Sequence, residues 1–189
     1  MSEQLAREVR DFWLDPGRLS RSTRHSAQAV RERFGALVEQ AQGGALTAWT
    51  HSPRRSLSLI IVLDQFSRVI YGGTARAYAG DAQALATTLT GLERGADAPL
   101  NITEKLFFCM PLQRAESLSV QQDSVALFER WAAAATAAEQ PLATAMLRSA
   151  QDNHGVIARF GRFPRRNRLL GRHTTPEEHA WLVDRSKPV

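Results

Sequence analysis

The chain has 189 residues, 43% of them hydrophobic and 23% charged, a balance that suits one folded globular domain. Its net charge is +5, carried by 22 arginines and only two lysines, Lys105 and Lys187. No apolar run approaches the roughly 20 residues that span a bilayer, and the single cysteine, Cys109, excludes an intramolecular disulfide and a multi-cysteine metal site.

The opening M-S-E-Q-L-A-R-E-V-R mixes acidic and basic residues, which predicts neither a signal nor a transit peptide, and the single cysteine makes a reducing cytoplasm the expected location. A first helix is expected over residues 3–14, stopped by Asp15-Pro16-Gly17, with residues 1–20 as an N-terminal arm or helix. A second is expected over residues 22–42, with Val30, Phe34, Leu37, Val38 and Ala41 on one stripe and Gly43-Gly44 as its end. Trp49 falls in a connector, and Pro53 suits a first helical turn. Residues 57–70 form the most hydrophobic stretch. Its apolar residues continue past Asp64 without alternation, so it reads as a central buried helix, broken by Tyr71-Gly72-Gly73.

Asp81 is expected to cap a helix reaching Arg94, and Thr103 a short helix over residues 104–110 that Pro111 interrupts. A long helix is expected over residues 115–138. Another opens at Pro141 and ends near Phe160, with Gly161 as its stop. The stretch T-P-E-E, residues 175–178, carries a capping box in front of a last helix with Trp181 and Leu182. The fold class is therefore all-α: about eight mostly antiparallel helices in one domain over residues 1–189.

Two segments carry the polar chemistry. R-F-G-R-F-P-R-R-N, residues 159–167, opens a loop holding Arg159, Arg162, Arg165, Arg166, Arg168 and Arg172 with no acidic residue before Pro176. It reads either as a solvated basic loop or as a site for phosphate or carboxylate, with Phe160 and Phe163 pinning it to the body. D-Q-F-S-R, residues 64–68, puts Asp64 and Arg68 at helical i, i+4 spacing, where they share a face and can pair. His154 precedes the arginine loop on the same helix and is a candidate base. There is no zinc-protease, Walker or nucleophile-elbow motif, and no metal or cofactor is expected.

The stretch L-D-Q-F-S-R-V-I-Y-G-G-T-A-R-A-Y-A-G-D, residues 63–81, resembles L-D-Q-F-P-R-N-x-Y-R-G-T-P-R-A-F-A-x-D. R-F-G-R-F-P-R-R-N-R-L-L-G-R-H-T-T-P-E-E, residues 159–178, resembles R-F-G-R-F-P-H-R-N-x-x-L-G-R-x-S-T-x-E-E. Both patterns are hallmarks of DUF924, a family of bacterial proteins of unknown function, and the resemblance covers nearly the whole chain. It implies an all-helical, tetratricopeptide-like fold of helical hairpins and no particular reaction. Asp64, Gln65, Arg68, Arg76, Asp81, His154, Arg159, Arg162, Arg166, Asn167 and Arg172 match the pattern. The chain departs from it at Gln113-Arg114, where the family has Glu-His, at Arg165, where it has His, and at Ser67 and Val69, where it has Pro and Asn.

Three functions follow as expectations. The first is a site for a small anionic ligand, with His154 and Asp64 as catalytic groups and Gln65, Arg68, Arg159, Arg162, Arg166, Asn167 and Arg172 as ligand-binding groups. The sequence leaves open whether such a site is that of an enzyme. The second is an interaction module that binds acidic peptides, and the third, less supported, is nucleic-acid binding. No membrane partner is expected, and homo-oligomerisation is left open.

Overall fold

The structure, a computed structural model, describes residues 3–15 and 26–184. Among these residues there is no strand, and eight helices carry the architecture, in line with the expected fold class. They divide into two compact units: the described residues of Met1–Gly72 with Arg76–Arg114, and those of Gly73–Ala75 with Ala115–Val189. The expected stop at Pro16-Gly17 and the expected start at Ser22 lie outside the described residues.

The first unit holds α1 (Glu3–Trp13), α2 (Ala27–Gln42), α3 (residues 53–70), α4 (Asp81–Glu93) and α5 (Ile102–Arg114). Ser26 caps α2, its hydroxyl accepting the Ala29 N–H at 3.1 Å. Ser52 caps α3 in the same way, and Pro53 occupies its first turn. The other four helices all pack on α3. Leu57, Leu59, Ile60, Ile61, Val62, Leu63 and Phe66 of α3 are fully buried, each contributing about 1.5–3 kcal/mol. Aromatic rings close the core around them: Phe34 stacks on Phe66 at 4.7 Å, and Phe12 and Trp13 meet Phe66 edge-on at 6.0 and 5.6 Å.

α3 is not a uniform α-helix. Pro53–Ile60 and Ser67–Ile70 are α-helical, but Ile61–Phe66 between them is a π-helix. The Ser67 N–H accordingly reaches back five residues to the Val62 carbonyl. Periodicity alone does not reveal this, because the segment is buried all round.

Boundaries differ from expectation at three points of this unit. Asp81 is the first residue of α4 rather than its cap, because its carboxylate is engaged by Arg68. Asn101, not Thr103, opens α5: Asn101 Oδ1 accepts the Glu104 N–H, and Glu104 accepts the Asn101 N–H, both at 3.0 Å. Pro111 lies inside α5 instead of ending it. Pro111 is buried, and separately Thr88 of α4 donates its hydroxyl to the Phe108 carbonyl of α5 at 2.8 Å.

The second unit holds α6 (Leu118–Ala134), α7 (Gln140–Phe160), a 3-10 turn (Pro164–Arg166) and α8 (Pro176–Asp184). α6 ends sooner than its alanine run suggests, since the Thr136 hydroxyl and N–H both donate to Glu139 and tie the chain into the link to α7. That short link makes α6 and α7 an antiparallel pair, packed through Leu127, Phe128, Ala143, Met146 and Ala150. Gly161, at φ 67°, stops α7 in the left-handed conformation that glycine tolerates.

α4 and α5 meet at Gly91, where a Cβ would lie 2.5 Å from Cζ of the buried Phe108 ring. Gly91→Ala is therefore expected to lose about 1–3 kcal/mol of stability, read as a lower urea midpoint at unchanged slope; an unchanged midpoint would refute this packing.

Candidate functional site

The π-helical turn places the D-Q-F-S-R residues. Asp64 lies inside it, 1% exposed, in the most apolar helix of the chain. A buried carboxylate needs opposite charge or several donors, and Asp64 has both. Oδ1 accepts Nη1 of Arg68 at 2.6 Å and Nη1 of Arg114 at 3.0 Å. Oδ2 accepts the side-chain amide of Gln65. Arg68 spans two acids, its Nη2 donating to both oxygens of Asp81 at 2.8 and 2.9 Å while it lies 5.4 Å from the Tyr78 ring centre. The Arg114 and Gln65 nitrogens also converge on the sulfur of Met110, at 3.0 and 2.9 Å.

Asp64, Gln65 and Arg68 thus come together as expected. Two members were not foreseen as parts of one site. Asp81 was read as a cap, although it closes the same family motif. Arg114 enters the sequence reading only as a departure from the resembled pattern, and it supplies the second counter-charge to Asp64. Arg76 lies apart from the cluster, paired with Glu39 at 3.0 Å and stacked on Tyr71 at 4.1 Å.

The arginine loop is organised by carboxylates outside its own segment. Glu178, 2% exposed, accepts Nε and Nη2 of Arg162 at 2.7 and 2.9 Å, Nδ2 of Asn167 at 3.1 Å and the Thr175 N–H at 2.8 Å. The capping box read from T-P-E-E is present, the Glu178 N–H donating to Thr175 Oγ1. Glu116 accepts both terminal nitrogens of Arg172, at 2.6 and 3.0 Å, and the Phe163 N–H. Arg159 pairs with Glu177 at 2.9 Å. Arg166 lies over Phe163, and Arg165 faces Trp181, whose ring meets Phe160 edge-on. Arg165 and Arg168 are exposed. An incoming anion would have to compete with Glu178 for Arg162 and with Glu116 for Arg172. His154 is half-buried on α7, in the second unit, whereas Asp64 belongs to the first.

The hydrogen bonds from Arg162 hold Glu178 at a pKa of about 2, below the ordinary 4.5, with Thr175 and Asn167 adding to the effect against its burial. Burial alone would raise Glu116, but Arg172 and the Phe163 N–H outweigh it and leave it lowered.

The described structure also contains an open cleft of about 1310 Å³ lined by Glu3, Arg7, Arg10, Asp11, Leu14, Asp15, Arg54 and residues 101–104. None of the expected site residues lines it. Arg10 is committed to the Ala6 and Arg54 carbonyls and to Ser58, and the remaining side chains present both signs of charge. The Asp64 cluster, buried and assembled from α3, α4 and α5, is the better candidate.

Arg68→Leu strips the bridge from two carboxylates and is expected to cost about 3–5 kcal/mol, more than Arg114→Leu, which leaves Arg68 on Asp64; equal small losses in chemical denaturation would show that the cluster does not hold the unit. A depressed carboxylate stabilises above its unfolded pKa and loses that contribution as pH falls through the folded one. The Glu178 contribution should therefore be complete above about pH 4.5 and fade toward pH 2, and Glu178→Gln should flatten the stability profile across that window.

Comparison with known proteins gives the same family as the two motifs. The family model described as bacterial protein of unknown function (DUF924) matches residues 9–186. The solved structure of ATU0120, a protein of unknown function from Agrobacterium tumefaciens, is similar at TM-score 0.81 and 32% identity, covering 96% of this chain and 98% of that one. No curated protein matches. A family model spanning nearly the whole chain, together with a structure of the same fold at this identity, shows that the chain belongs to the DUF924 family.

Proposed function

We propose that the chain binds a small polar ligand at the Asp64–Gln65–Arg68–Asp81–Arg114 cluster, the ligand's carboxylate or phosphate facing the solvent-side edges of the two arginines. One observation carries this reading. A carboxylate that is 1% exposed sits in a π-helical turn, held by two arginines that are 19% and 24% exposed. Moving such ions out of water costs several kcal/mol each, and apolar side chains would hold the same helices together as well or better. π-Helical turns recur at functional sites.

The reading favours binding over acid–base catalysis. A general base needs a lone pair within reach of the proton it removes, and the Asp64 oxygens already meet two guanidiniums and an amide. Gln113 and Arg114 stand where the family has Glu and His, so neither offers a proton-transfer group. In this reading Asp64 aims the arginines. Arg159, Arg162, Arg166, Asn167 and Arg172 order the loop before α8, and His154 takes no part. The α6–α7 hairpin supports the tetratricopeptide-like description of the fold.

The test is thermal unfolding of the protein with acetate, citrate, inorganic phosphate and mononucleotides, beside Arg114→Lys and Arg68→Lys. A ligand at 100 times its Kd adds about 2.7 kcal/mol. The expected result is an upward shift with one chemical class that Arg114→Lys loses while its unliganded stability stays near wild type. No shift with any compound would overturn the reading.

A further inference from the structure

The geometry points to Met110 as a site of reversible oxidation by hydroperoxides, with the sulfoxide oxygen taken up by Gln65 and Arg114. The observation is a mismatch of partners. A thioether is a weak acceptor, yet two strong donors converge on this one: Gln65 Nε2 at 2.9 Å and Arg114 Nη2 at 3.0 Å from Sδ. Both donors are held in place from behind, because Asp64 engages the same Gln65 amide through Oδ2 and Arg114 Nη1 through Oδ1. Met110 is partly exposed and so within reach of a small oxidant.

Charge selects what those donors would prefer to meet. Within the cluster, Asp64 and Asp81 balance Arg68 and Arg114, so an acceptor that is strong but neutral leaves the balance intact. A sulfoxide oxygen is such an acceptor. Methionine oxidation ordinarily disrupts packing, because it puts a polar group among apolar ones. Here the new oxygen enters a polar setting with two donors already aimed at its position, and the flexible ends of Gln65 and Arg114 need only draw back to make room.

The step balances simply. The sulfur lone pair attacks the terminal oxygen of the hydroperoxide, an S–O bond forms and the O–O bond breaks. The leaving oxygen departs with the bonding pair and takes the proton of the transferred hydroxyl, leaving as water or alcohol. Sulfur is oxidised by two electrons and the peroxide is reduced by two. Return to the thioether is the reaction of a thiol-dependent methionine sulfoxide reductase.

The chain supplies its own reference, since Met146 is 2% exposed. The folded protein is treated with hydrogen peroxide, and methionine oxidation is located by peptide fragmentation. Alkylation after unfolding checks that the buried Cys109 thiol, next to Met110, stayed reduced. Melting temperatures and the Gln65 side-chain amide NMR signal are recorded before and after, with Met110→Leu as control. The expected result is oxidation of Met110 roughly tenfold or more ahead of Met146, a moved Gln65 amide signal and a melting temperature that holds or rises. Sulfoxide reductase should restore the starting spectrum, and Met110→Leu should not respond. Failure of Met110 to oxidise ahead of Met146 would overturn the proposal. So would a fall in melting temperature of about 2–4 °C or more, the equivalent of losing about 1 kcal/mol in a chain of this size, that Met110→Leu does not share.

Discussion

A charge removed from water must be met by opposite charge and by enough hydrogen bonds to replace its hydration, and each unit of this protein is arranged around one carboxylate under that constraint. In the first unit it is Asp64. Its presence in the buried stretch of α3 requires cations there, and they come from one turn further along α3 and from the end of α5. Arg68 then fixes the start of α4 by holding Asp81 with its other nitrogen. Three helices are thereby registered against one another by a few directed bonds, and the aromatic rings fill the remaining space without specifying direction. In the second unit the same part is taken by Glu178, which ties Arg162, Asn167 and Thr175 together and so sets the course of the whole segment between α7 and α8.

The pairing changes what the arginines can be used for. Six arginines in a loop without acids suggest an electrostatic surface for phosphate or nucleic acid. Three of them instead meet carboxylates, and a fourth covers a phenylalanine ring. The arginine-rich composition is thus partly structural, and it exploits the planar fork that lets one guanidinium hold two oxygens at once. In the Asp64 cluster two arginines converge on one carboxylate inside a π-helical turn, whereas in the loop each carboxylate is held by one. Arg114, at the end of α5, belongs to the same account. The Arg114 guanidinium stays charged, so its contact with Asp64 is an ion pair.

Much of this was legible in the sequence. The all-helical class, the buried character of α3, the Asp64–Arg68 pair, the glycine stop at Gly161 and the capping box at Thr175 all follow from local rules: apolar pattern, i, i+4 spacing, left-handed glycine and reciprocal side-chain caps. These interactions join residues within one or two turns, and spacing along the chain nearly equals spacing in the fold. Family resemblance added the knowledge that residues 63–81 and 159–178 belong together as motifs, without saying what within them touches what.

Tertiary structure alone decided the rest. The π turn in α3 lies in a segment buried all round, which leaves no periodic trace. Pro111 sits buried within a helix that runs on past it to Arg114, where sequence rules place a break. Arg114 meets Asp64 across 50 positions, and Arg172 meets Glu116 across 56. At such separations any arginine could have served any acid. The sequence by itself determined which segments are helical and which charges would have to be buried. Which opposite charge answers each one was settled only when packing brought distant helices close enough for a hydrogen bond.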